Sequence, residues 1–152
     1  MTAKKLALLH TSPVLTPLFA SLCAKWLPEV KIFHMVDESL IKNTIEAGQL
    51  RKVTIRRLVG LIASGFDGGA DAVLVTCLSI GPGVEIAQSL FDQPVIRVDE
   101  AMAKTAVEQG RRIGVIATRH RSRWAYGAAR LTSDSRQVEL GPQRLRHRIR
   151  LV

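Results

Sequence analysis

Cys77 is the residue in this 152-residue chain best suited to chemistry. It stands in Thr76-Cys77-Leu78-Ser79-Ile80-Gly81-Pro82-Gly83, directly after the apolar run at residues 72–75. That run reads as a buried strand, and the residues after Gly83 read as a helix. A thiol at such a junction faces backbone N–H groups and the positive end of a helix dipole. Those groups stabilise an anion, the state in which a thiol acts as base or nucleophile. Thr76 and Ser79 add hydroxyls able to donate to a carboxylate, and Gly81 and Gly83 would let backbone approach a ligand closely. The plain alternative is that Cys77 is a small buried hydrophobe at a strand end.

Polar residues end other apolar runs too. His10-Thr11-Ser12 follows residues 6–9, Asp37-Glu38-Ser39 follows residues 30–36, and Asp99-Glu100 follows residues 94–98, with Thr118 as a further case. Thr11 or Ser12 could bind a ligand or cap the next helix, and one oxygen serves one of these roles at a time. Asp37, Asp99 and Glu100 face the same choice. His10 and His34 lie inside strand ends and read as packing residues. Cys23 lies on a helical apolar stripe and reads as core, not as a second reacting thiol. No His, Cys or Asp set has metal-ligand spacing, and no nucleotide-binding glycine motif occurs.

The elements that must hold these residues alternate. Strands are expected at 6–9, 30–36, 72–75, 94–98 and 112–117. Helices are expected from Val14 to Leu27 and over 50–64, 84–91 and 101–109. Val14, Leu15, Leu18, Phe19, Leu22, Cys23, Trp26 and Leu27 supply the period of the first helix. Strand–helix alternation with continuous apolar strands predicts an α/β fold, a parallel sheet with helices on both faces. In such sheets ligands bind at the carboxyl ends of the strands.

Composition limits the rest. Hydrophobic residues make up 47% of the chain, enough for a core. No apolar run is long enough to span a membrane, and the N-terminus lacks the pattern of a secretory signal, so a cytoplasmic protein is expected. The two cysteines do not form a disulfide framework. The formal charge of +9 is uneven. Residues 1–118 hold 13 Lys and Arg against 11 Asp and Glu, whereas residues 119–152 hold nine Arg, no Lys and two acids. No sustained apolar period follows Thr118. The expected division is therefore a domain over 1–109 and an incomplete second half with an Arg-rich tail over 110–152. The tail reads either as an altered end, such as a shifted reading frame in a G- and C-rich gene, or as a flexible basic tail. Its only aromatics are Trp124 and Tyr126. A salt-sensitive nucleic-acid contact through its arginines is a weaker third reading of the chain.

Four stretches in order carry a resemblance: Leu8-Leu9-His10-Thr11-Ser12-Pro13, Phe33-His34-Met35-Val36-Asp37-Glu38-Ser39, Val75-Thr76-Cys77-Leu78-Ser79-Ile80-Gly81-Pro82 and Val98-Asp99-Glu100-Ala101-Met102. Over about residues 5–118 the chain resembles the aspartate/glutamate/hydantoin racemase superfamily. The resemblance implies a flavodoxin-like half of a two-domain fold and cofactor-independent chemistry at the carbon α to a carboxylate. It implies a small amino or carboxylic acid as substrate, with Cys77 as catalytic thiol and Thr11, Ser12, Thr76, Ser79 and Asp37 as substrate-binding residues. Members use one cysteine from each half, but no cysteine follows Cys77 here. A homo-oligomer would supply another wall. The alternative is a catalytically inactive fragment that keeps the half-fold.

Overall fold

Six consecutive residues, Lys5–His10, form strand β1 because an apolar, largely buried run has no helical period. The computed structural model describes residues 3–109, 129–131 and 138–140. Helix α1 covers Leu15–Trp26, β2 Lys31–Val36, α2 Glu38–Ala47, α3 Lys52–Asp67 and β3 Ala72–Val75. A 3-10 turn at Leu78–Ile80 leads into α4, Gly81–Gln88, and then β4, Val95–Arg97. Helix α5 spans Glu100–Gln109, and the short strands β5, Ala129–Leu131, and β6, Val138–Leu140, follow. The chain divides into two compact units, Met1–Val98 and Asp99–Val152.

The first unit holds a parallel sheet in the order β2-β1-β3-β4. The chain leaves β1 in one direction to reach β2, and returns past β1 to reach β3. Right-handed crossovers must then place α1 on one face and α3 with α4 on the other. The side chains agree. Ala7, Leu9, Val73 and Val75 join Leu58 and Ile62 of α3 and Val84 and Ala87 of α4 in one apolar core. On the opposite face, the ring of Phe19 from α1 lies 5.5 Å from that of His10. This is the α/β sheet with helices on both faces that the alternation predicts.

The apolar stripe of α1 is wider than the surface that covers it. Cys23 is buried, but Val14, Leu18, Leu22 and Trp26, spaced four apart, are exposed, Trp26 at 69%. Two elements differ from the sequence expectation for clear reasons. Helix α2 has only Leu40 and Thr44 buried, so its apolar period is thin. Helix α4 begins at Gly81 rather than Val84, because Pro82 is tolerated in a first turn, where its missing N–H has no partner to lose.

In the second unit, α5 follows the buried Asp99, whose carbonyl accepts from the N–H of Ala103 at 2.9 Å. Strands β5 and β6 pair antiparallel, Ala129 opposite Leu140 and Leu131 opposite Val138. The strand expected at 112–117, Thr118, Trp124 and Tyr126 lie outside the described residues. No helix among the described residues is long and apolar enough to cross a membrane.

Candidate active site

The strand order makes β1 and β3 neighbours whose following connections run in opposite directions. That is a topological switch point, where α/β sheets leave a crevice beyond their carboxyl ends. The parallel register sets Leu9 beside Val75 and His10 beside Val36. Bonds past the strand ends continue it: Thr76 N–H donates to the Leu9 carbonyl at 3.0 Å, and Asp37 N–H to the His10 carbonyl at 3.0 Å. Thr11 and Ser12 therefore leave β1 next to the point where Cys77 leaves β3.

Cys77 has extended backbone and sits directly before the 3-10 turn, with no side-chain cap bond. It is half-buried, as is Ser79 one residue into the turn. Helix α1 is capped by Val14, without a side-chain bond. The hydroxyls of Thr11 and Ser12 are thus not spent on capping it. Thr11 is buried and Ser12 half-buried.

Asp37 is engaged elsewhere. It caps α2, with Oδ1 accepting from the Ser39 N–H at 2.9 Å and the Ser39 hydroxyl at 2.6 Å. Its Oδ2 accepts from Arg57 Nη2 at 2.6 Å, and Arg57 Nη1 donates to Ser39 Oγ at 2.6 Å. Thr76 is buried, and its hydroxyl donates to the Leu9 carbonyl at 3.2 Å. A ligand carboxylate would have to compete with Leu9 for that proton.

The glycines after Cys77 accommodate protein. A Cβ on Gly81 would stand 2.9 Å from Arg97 Nη2, and one on Gly83 would stand 3.0 Å from Leu58 Cδ2. Arg97 ends β4 only 8% exposed and pairs with Glu85 of α4. Its guanidinium therefore lies over the first turn of the helix that follows the Cys77 loop. Arg97 is a further residue of this region, and its signal in the sequence is an arginine inside a short apolar strand, whose charge needs a partner.

In sequence, His10 and His34 read singly, as packing residues. Both are in strands, but together with Thr76 they form a hydrogen-bonded chain. His10 Nδ1 lies 2.8 Å from Thr76 Oγ1, and His10 Nε2 lies 2.8 Å from His34 Nδ1. Burial, and secondly the neighbouring His34, pull the His10 pKa below its usual 6.5. Cys23, also buried, has its thiol pKa pushed up by desolvation. Among the described residues no cluster of three or more His, Cys, Asp or Glu is placed to hold a metal ion.

The model of the family described as Asp/Glu/Hydantoin racemase matches residues 9–138. The chain belongs to the Asp/Glu/hydantoin racemase family. The matched stretch runs 20 residues beyond Thr118 and takes in β5 and the first residue of β6. No curated protein matches the chain. The domain is thus racemase-like, of the isomerase class, and all the strand-end residues singled out above fall inside the match.

Proposed function

We propose that the protein is a cofactor-independent racemase-like enzyme acting on the carbon α to the carboxylate of a small amino or carboxylic acid, with Cys77 as the base. The observation that carries the reading is the position of Cys77 at the β1/β3 switch point, before the 3-10 turn and beside the strand end that leads into Thr11 and Ser12. The Cys77 thiolate takes the α-proton as S–H, and the electron pair left on carbon delocalises into the carboxylate. That growing charge needs fixed donors. Thr11, Ser12 and Ser79 can supply hydroxyls from the same end of the sheet, and Thr76 can do so in competition with Leu9. Asp37 is an acceptor and would address an ammonium group, at the cost of its bonds to Ser39 and Arg57.

Inversion needs an acid on the opposite side of the substrate. Residues 78–152 hold no cysteine to serve as that acid. The reaction this thiol can perform unaided is one-sided: removal of the α-proton, exchange of the thiol proton with solvent, and return to the same face. Deuterium incorporation at Cα of aspartate, glutamate and hydantoins in heavy water tests this. Exchange is expected with one of these classes and should vanish in Cys77→Ser. Exchange no faster than in Cys77→Ala for every substrate would refute the reading and leave an inactive half-fold of the family.

A further inference from the structure

The chain of His34, His10 and Thr76 bridges β2, β1 and β3 on the face of the sheet covered by α1, and the direction of its bonds turns on where the Thr76 hydroxyl proton lies. The Leu9 carbonyl can only accept. The Thr76 hydroxyl has a single proton, and its place 3.2 Å from that carbonyl lets it donate there. With that proton on Leu9, His10 Nδ1, 2.8 Å from the same oxygen, carries a proton and donates it. A neutral imidazole protonated at Nδ1 has a lone pair at Nε2. His34 Nδ1, 2.8 Å from that lone pair, must be the donor in turn. The polarity runs one way, from His34 through His10 and Thr76 to Leu9. The groups around His10 are His34 from β2, Thr76 from β3 and the uncharged Phe19 ring from α1.

Two neighbours give this chain its meaning. His10 immediately precedes Thr11, and Thr76 immediately precedes Cys77. The side-chain bond between them therefore clamps together, across the switch point, the residues that launch both halves of the candidate site. We infer that His10, protonated at Nδ1, is the positioning residue of the Cys77 strand end. His10 is completely buried, so it acts through Thr76 and is not placed against substrate. Adding a proton to its Nε2 would set it against the His34 Nδ1 proton, and the link to His34 would last only if that proton moved to His34 Nε2. A proton on His34 Nε2 breaks nothing in the chain, because no described residue bonds that atom. The bond to Thr76 itself needs only the proton on His10 Nδ1.

The inference rests on the reading of Cys77 as the reacting group, and its test separates the two. In the wild-type chain, 15N spectra of the imidazoles should show His10 neutral and protonated at Nδ1 at pH 7. A His10 ring protonated at Nε2 would overturn the assignment, whatever the variants do. His10→Leu removes the donor, whereas His10→Asn places an amide N–H where Nδ1 stood. His10→Leu should lower kcat for α-proton exchange by about tenfold or more, the scale of a displaced reacting group, with KM changed little. His10→Asn should restore most of the loss. Equal losses in both variants, or none in either, would overturn the positioning role. If the wild-type chain shows no exchange on any substrate, the readout is the rate and pH profile of Cys77 alkylation by iodoacetamide, followed peptide by peptide. That profile should move in His10→Leu and return in His10→Asn. An unmoved profile would refute the clamp independently of any catalysis. A His10→Leu chain that fails to fold leaves the tautomer measurement, and His10→Asn against wild type, to decide.

Discussion

The two faces of β1 put alternate residues to different uses. Ala7 and Leu9 face α3 and α4 in a core of apolar side chains, with the Arg97–Glu85 pair at its β4 edge. Leu8 and His10 face α1, where burial ends in a polar chain at the carboxyl edge. The first face is held by area and shape, and a loss there is a loss of contact. The second is held at its end by three directional bonds with few ways to re-form. Period-two alternation along one strand thus lets a single element serve as both core and scaffold for a site.

The largest expected effect tests the apolar face. Leu58 is fully buried between the sheet and α4, and the close approach of Gly83 leaves little room for repacking. Leu58→Ala should cost about 2–5 kcal/mol in denaturant unfolding. Its pH dependence of stability should stay that of the wild type, since the truncation leaves the histidine chain on the other face of the sheet intact. A loss under about 1 kcal/mol would mean that the face collapses easily and is not the rigid side of the comparison.

The polar face should reveal itself through pH. His10 titrates below its usual 6.5 in the folded chain because burial and His34 oppose its charge. As pH falls below 6.5 the unfolded chain takes up the proton first. The contribution of His10 to stability is therefore complete above that pH and is lost as the pH drops towards the folded value. The slope from one proton cannot exceed about 1.4 kcal/mol per pH unit. Denaturant midpoints at neutral and mildly acid pH, compared between wild type and His10→Asn, isolate this share because the carboxylates are common to both. Parallel pH profiles would remove the distinction between the two faces.

How much of this could be read from the residue string depends on distance along the chain. Residues 72–75 are a continuous apolar run ending at a polar residue, and strand β3 has those bounds. Cys77 was legible for the same reason, since a strand end is a local feature. Helix α2 was not, because one of its two buried positions is Thr44, whose hydroxyl donates to the Leu40 carbonyl and so hides in the helix. Strands β5 and β6, at three residues each, are too short to show a period. The histidine chain was out of reach for a different reason. His10 lies 24 residues from His34 and 66 from Thr76, and only the pairing of three strands puts them on one face. The spread of apolar residues on α1 misled in the other direction: helical spacing shows that a stripe exists, not that Val14, Leu18 and Trp26 have something to cover them.

Asp37 lies between the two kinds of bonding, polar like the histidine chain but close to solvent. Asp37→Ala removes the cap of α2 and the partner of Arg57, and should cost about 1 kcal/mol. Asp37→Asn keeps an oxygen for the Ser39 N–H and gives up the ion pair, so it should recover most of the loss. Arg57 is 42% exposed, and a pair in that setting is weak. Thermal unfolding of the two variants separates cap from charge. Equal destabilisation would shift the weight to the ion pair and make this corner more like the buried chain than like surface.

The smallest expected effect marks the solvent limit of the same scale. Glu38 and Lys42 of α2 form an ion pair at i,i+4 with both side chains well exposed. The order of acid before base matches the helix dipole, yet water competes for both charges. Lys42→Ala should cost only about 0.3 kcal/mol at low salt, and less as salt screens the pair. Alanine also has the higher helix propensity, which offsets part even of that. Denaturant midpoints at low and high salt would show the difference closing. A cost of about 1 kcal/mol that survives high salt would mean that α2 leans on its surface charges as much as on its cap, and that directional bonds matter in this protein even where water is free to replace them.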